Sequence, residues 1–159
     1  MLRPFRKWRA LPASERRDAL ALLLLHPMVS LALRGLGYRR TLALLTKTGK
    51  GHTLRASAPE NMRHANRLAE LAKAVGQNGA IEASCLRQSL AVFWLLRRRG
   101  LLPEVKLGVG RLGDGAPDMH AWVELDGEAL AQPGLRHAAF EVAVTKQSET
   151  TAITSGKRA

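Results

Sequence analysis

The sequence predicts an α+β domain in which helices come first and a small antiparallel sheet follows. Three observations predict it. Apolar residues recur at the helical spacing of about 3.6 as far as Gly100 and at the strand spacing of 2 beyond Pro103. The dipeptide Asp126-Gly127, between two apolar stretches, is a hairpin signal. The chain of 159 residues, 46% of them hydrophobic, is the right size for one domain with one core.

Residues 1–55 read as a helical, basic region packed on the same domain, with turn signals at Gly35 and Gly37 and a polar break over residues 46–52. Within it the apolar stretch 19–33 falls short of the roughly 20 residues a membrane span needs, and His26 and Pro27 interrupt it. A buried helix pair kinked at Pro27 accounts for it, and docking on a membrane surface is the alternative. The core, residues 56–145, opens with Ser57 and Glu60 at capping-box spacing. Met62, Ala65, Leu68, Leu71 or Ala72, and Val75 then mark an amphipathic helix that ends at Gly76, with a loop over residues 77–80. From the N-cap Ser84 a second helix runs through Leu86, Leu90, Phe93, Trp94 and Leu96 to Arg99 and closes at Gly100. Val105, Leu107 and Val109 alternate with Lys106 and Gly108 as a strand. Residues 119–125 form the next, Asp126-Gly127 turns into a third through Ala129 and Leu130, and residues 139–144 offer another. Residues 146–159 lack an apolar period and read as a disordered tail.

Lys and Arg outnumber Asp and Glu by 25 to 13, giving a formal charge of +12 and favouring an anionic partner. The arginines are dispersed over residues 3–9, 16–17, 39–40 and 97–99, which suits solvated helix faces. Few aromatics, no metal-ligand spacing and no helix-turn-helix cue argue against nucleic acid, a bound metal or a cofactor. A single cysteine cannot form an internal disulfide and suits a reducing compartment, and the broken apolar run 19–33 is not followed closely by the A-x-A cleavage site of a secretory signal. The expected location is therefore the cytoplasm.

That cysteine, Cys85, opens its helix, where unpaired backbone N–H groups and the helix dipole favour an anion; a thiol there is a primed nucleophile. The same N–H groups can stabilise the oxyanion formed on attack at a carbonyl. Gln77 and Asn78, just upstream, are candidate side-chain donors to it. In residues 119–124, period 2 puts His120, Trp122 and Glu124 on one face and Ala121 and Val123 on the other. A histidine on a strand that faces the Cys85 helix is the base a cysteine nucleophile requires. The other histidines, 26, 52, 64 and 137, suit surface or packing positions. A third group should hold the imidazole tautomer. Along an extended strand Glu124 lies about 13 Å from His120 and Asp126 about 20 Å, too far for either. A plain hairpin sends Gln132 to the face opposite His120, and one bulge residue returns it to the same face. Gln132 ranks first for the role and Asp118 second.

Ser84-Cys85-Leu86-x-x-Ser89-Leu90-Ala91, then Leu95-Leu96-Arg97-Arg98-Arg99-Gly100, then His120-Ala121-Trp122-Val123-Glu124-x-Asp126-Gly127 together resemble the lasso peptide leader peptidases, over roughly residues 8–135. These are transglutaminase-like proteins that remove the leader of a ribosomally made precursor before a separate ATP-dependent cyclase closes the ring. The resemblance implies a papain/transglutaminase-like fold, with the nucleophile helix against an antiparallel sheet, Cys85 as nucleophile and His120 as base. Its third residue is usually an aspartate after the hairpin, where this chain has Gln132. It also implies three partners: the precursor leader, a separate leader-recognition protein as in the split form of the family, and the cyclase. A transamidase or acyltransferase using the same thiol, and a silent scaffold binding an acidic peptide or membrane, are the competing readings.

Overall fold

The structure is a computed structural model that describes residues 12–49, 58–78, 84–111, 117–132 and 138–140. Three helices, α1 (Ala13–Thr48), α2 (Pro59–Asn78) and α3 (Cys85–Arg98), precede four strands, β1 (Glu104–Arg111), β2 (Pro117–Leu125), β3 (Glu128–Ala129) and β4 (Ala138–Phe140). The strands form one antiparallel sheet in the order β3-β2-β1-β4. The α+β expectation holds. The arginines before residue 12, Ser57, His52, His137, the outer part of the strand expected over 139–144 and the tail lie outside the described residues.

The helical patterns set the core. Leu22, Leu25 and Val29 of α1, Leu68 and Ala72 of α2, and Leu90, Val92 and Leu96 of α3 are buried together, and Val123 and Leu125 of β2 join them from the sheet. Leu22, Leu68, Leu90, Leu96 and Leu125 are almost fully enclosed, each stabilising the fold by about 1.5–3 kcal/mol. The hairpin is as expected: Asp126 (φ 52°) and Gly127 (φ 80°) both take positive φ, and Leu125 pairs with Glu128.

Three expectations need correction. Residues 19–33 are not a helix pair kinked at Pro27; α1 continues through Pro27, and the non-helical backbone is at Gly37 (φ 72°, ψ 173°). Proline removes the amide that would bond to the Leu23 carbonyl, but Leu23 lies on the solvent side, where water can take that carbonyl. Helix α2 does not end at Gly76, since Gln77 and Asn78 complete its last turn rather than a loop. The charge of the Arg97–Arg99 run is only partly solvated. Arg99 pairs with the buried Asp18 of α1, Arg97 lies over Phe93 and Arg98 over Trp94. Arg67 of α2 adds a two-pronged bond to Glu15, both contacts at 3.0 Å. Burial and the nearby Arg87 hold the His26 imidazole below its ordinary range, so this packing histidine favours the neutral form.

Candidate active site

Cys85 is the first residue of α3 and is half-buried. Ser84 stands at the N-cap with extended backbone (φ −60°, ψ 158°), and its carbonyl accepts the Gln88 amide at 3.1 Å. Its hydroxyl does not cap the helix. It accepts from Arg87 Nε at 3.2 Å, while Arg87 Nη1 donates to Ser30 Oγ of α1 at 3.0 Å, which anchors the start of α3 to the first helix.

One turn further, the buried Ser89 hydroxyl donates to the Ala121 carbonyl of β2 at 3.0 Å. That bond ties the cysteine end of α3 to the strand at the residue next to His120. The His120 ring stacks on Trp122, centroids 6.2 Å apart and planes 19° apart. Trp122 is buried and donates to Glu124 Oε1 at 2.9 Å. Glu124 is thus engaged by the indole, and Asp126 is exposed at the turn.

The third position depends on where β3 stops. The ladder ends at Glu124 opposite Ala129, with a last bond from the Leu130 amide to the Val123 carbonyl at 2.9 Å. Ala131 then takes φ 50°, a left-handed backbone disfavoured for a residue with a Cβ. The departure from the ladder is therefore not a bulge within the strand but the turn at Ala131, after the strand has ended. Two side chains of α2 hold that residue. Asn66 Oδ1 accepts its amide at 2.8 Å, and Lys73 Nζ donates to its carbonyl.

The result is one open cleft of about 350 Å³, part of it continuous with solvent. Cys85, Gln88 and Ser89 line it from α3, Ala69, Ala72 and Lys73 from α2, and His120 and Trp122 from β2; Gln132, just after β3, lines it too. Cys85, His120 and Gln132 thus all line one cleft. Asp118 lies on β2 opposite Gly110, and its side chain is outside the described residues. Gln77 is exposed at the end of α2, the Asn78 side chain lies outside the described residues, and the side-chain amide of Gln88 lines the cleft with Cys85. Gly76 makes room for it: a Cβ there would fall 2.6 Å from Gln88 Nε2.

Gln88, Asn66 and Lys73 were not singled out from the sequence. Asn66, Ala69 and Lys73 share one face of α2 at helical spacing, two polar residues flanking a small one, and that was the signal available. Among the described residues no cluster of histidine, cysteine and carboxylates suits a metal ion.

A thiol at a helix start, an imidazole on a strand and a side-chain amide lining the same cleft are residue types suited to acyl chemistry by a cysteine. The pattern that characterises the transglutaminase-like superfamily matches residues 22–145, and the chain belongs to that superfamily, whose members are typically cysteine proteases or transamidases. Searches of curated proteins and of solved structures returned no match.

Proposed function

We propose that the protein is a cytoplasmic cysteine peptidase that removes the leader from a ribosomally made lasso peptide precursor. The observation that carries the reading is the convergence of Cys85, His120 and Gln132 on one cleft. The leader-peptidase role itself rests on the resemblance of the Cys85, Arg97 and His120 segments to that family.

In this mechanism His120 takes the Cys85 proton as the sulfur attacks the scissile carbonyl. The tetrahedral oxyanion is stabilised by amides at the start of α3. Collapse breaks the C–N bond, His120 protonates the departing amine of the core peptide, and the leader remains as a thioester on Cys85. Water, deprotonated by His120, attacks the thioester; the leader leaves as a carboxylic acid and the thiol is restored. Gln132 accepts the second imidazole N–H and keeps the ring in the productive tautomer. A separate leader-recognition protein presents the substrate, and the cyclase takes the freed core peptide.

The test is a mass readout of the precursor incubated with the protein and the recognition protein. Wild type should release the leader with a free carboxylate and Cys85→Ala should release none. His120→Ala should slow cleavage by about 10²–10⁴, and Gln132→Ala should be slower than wild type. A product carrying an added amine would assign a transamidase. A precursor left intact by wild type would reduce the protein to a binding scaffold.

A further inference from the structure

Helix α1 has two unlike sides between Arg16 and Arg34. Asp18, Ala19, Leu22, Leu25, His26 and Val29 are buried against the rest of the domain. On the opposite side Leu20, Leu24, Met28 and Leu31 recur at i, i+4, i+8 and i+11 with exposures of 52, 69, 63 and 69%. Leu23, at 42%, widens the stripe. Four large apolar side chains in register on one exposed helix face form a patch that a monomer in water rarely leaves open.

The charges around the stripe identify what covers it. On a helix of 3.6 residues per turn, Arg16 and Arg17 at one end and Arg34 at the other fall on the same side as the leucines, and all three are exposed. The two ends are about 25 Å apart at 1.5 Å per residue. The acidic residues of this stretch are turned away and engaged within the domain: Asp18 with Arg99, and Glu15 with Arg67. The outer face is therefore apolar in the middle and cationic at both ends. That pattern complements an anionic lipid surface, where leucine side chains enter the acyl boundary and arginines reach phosphate.

We propose that α1 docks the domain on the surface of an anionic bilayer through Leu20, Leu24, Met28 and Leu31, with Arg16, Arg17 and Arg34 on headgroup phosphates. The helix lies in the plane of the interface. By length and composition it could cross a bilayer, but its other side carries the buried Asp18 and the core leucines and packs on α2 and α3. This inference does not depend on the reaction performed in the cleft.

Co-sedimentation of the full chain with vesicles tests it, using equal parts phosphatidylglycerol and phosphatidylcholine against phosphatidylcholine alone. Wild type should bind the anionic vesicles and lose binding in high salt. Leu24→Glu with Leu31→Glu should lower the partition coefficient at least tenfold, and Arg16→Glu with Arg17→Glu by about tenfold or more, at about 1 kcal/mol per cation. These side chains are exposed, so circular dichroism and the melting temperature should match wild type. No binding to anionic vesicles overturns the proposal, as does binding that the leucine substitutions leave intact. A concentration-dependent dimer dissolved by Leu24→Glu, without vesicle binding, would assign the face to a second copy and overturn it equally.

Discussion

Gly37 and Ala131 both leave regular backbone at positive φ, and they differ in what holds them there. Gly37, at φ 72° and ψ 173°, occupies a region that essentially only glycine visits, and nothing lies within 4 Å of where its Cβ would be. Its conformation is granted by residue type and needs no neighbour. Ala131, at φ 50°, has a Cβ and takes the unfavourable region because Asn66 and Lys73 grip its amide and carbonyl. The first break shapes a helix on the outside of the domain. The second immediately precedes Gln132, which lines the cleft with Cys85 and His120. Strain sustained by tertiary bonds, rather than relieved by glycine, is found here beside the site.

The largest expected effect comes from removing the glycine. Gly37→Ala should lower stability by about 2–3 kcal/mol, because alanine is excluded from this conformation and no contact compensates. Urea unfolding measures it, and the rate of precursor cleavage per folded molecule should not change. A variant as stable as wild type would mean that the bend in α1 adapts without glycine, and the contrast with Ala131 would fail.

Asn66→Ala should lower stability less, by about 1–1.5 kcal/mol for a partly buried amide that loses its acceptor, and should reduce kcat as Gln132 loses its fixed approach. Asn66→Asp keeps an oxygen acceptor and should recover most of the turnover. If Asn66→Ala and Asn66→Asp cleave alike, the grip on Ala131 has no part in positioning Gln132.

The same contrast explains what the sequence revealed. Cys85 at its helix start, the β2 alternation around His120 and the Asp126-Gly127 turn depend on neighbours within a few positions, and each is where local pattern put it. The break in α1 was assigned to Pro27 because an interior proline normally kinks a helix. The outcome depended on which side of the helix faced water, a tertiary fact that spares the Leu23 carbonyl. Gln132 lines the cleft, but the backbone departs from the ladder at the left-handed Ala131 and not at a bulge within the strand. The left turn at Ala131 is sustained from residues 65 and 58 positions away, Asn66 and Lys73, which no local period can reveal. The role of Ser89 was hidden likewise: its bond to the Ala121 carbonyl spans 32 positions, although the serine itself stood in the motif that carried the resemblance.

Ala131→Gly separates strain from grip most finely, because it changes the backbone preference and leaves both hydrogen-bond partners in place. Glycine removes an unfavourable left-handed preference of about 1–2 kcal/mol, but it also frees the unfolded chain, which opposes folding by about 0.4–1 kcal/mol. The two terms partly cancel, so stability should rise by no more than about 1.6 kcal/mol. If the Asn66 and Lys73 bonds are sufficient to aim Gln132, kcat should equal that of wild type. If the methyl group of Ala131 also restricts the approach, kcat should fall while KM stays constant, since the change touches the orientation of the base and not the leader. A net loss of stability would contradict both expectations, because it would mean that the left-handed residue is not strained and that Ala131 resembles Gly37 after all.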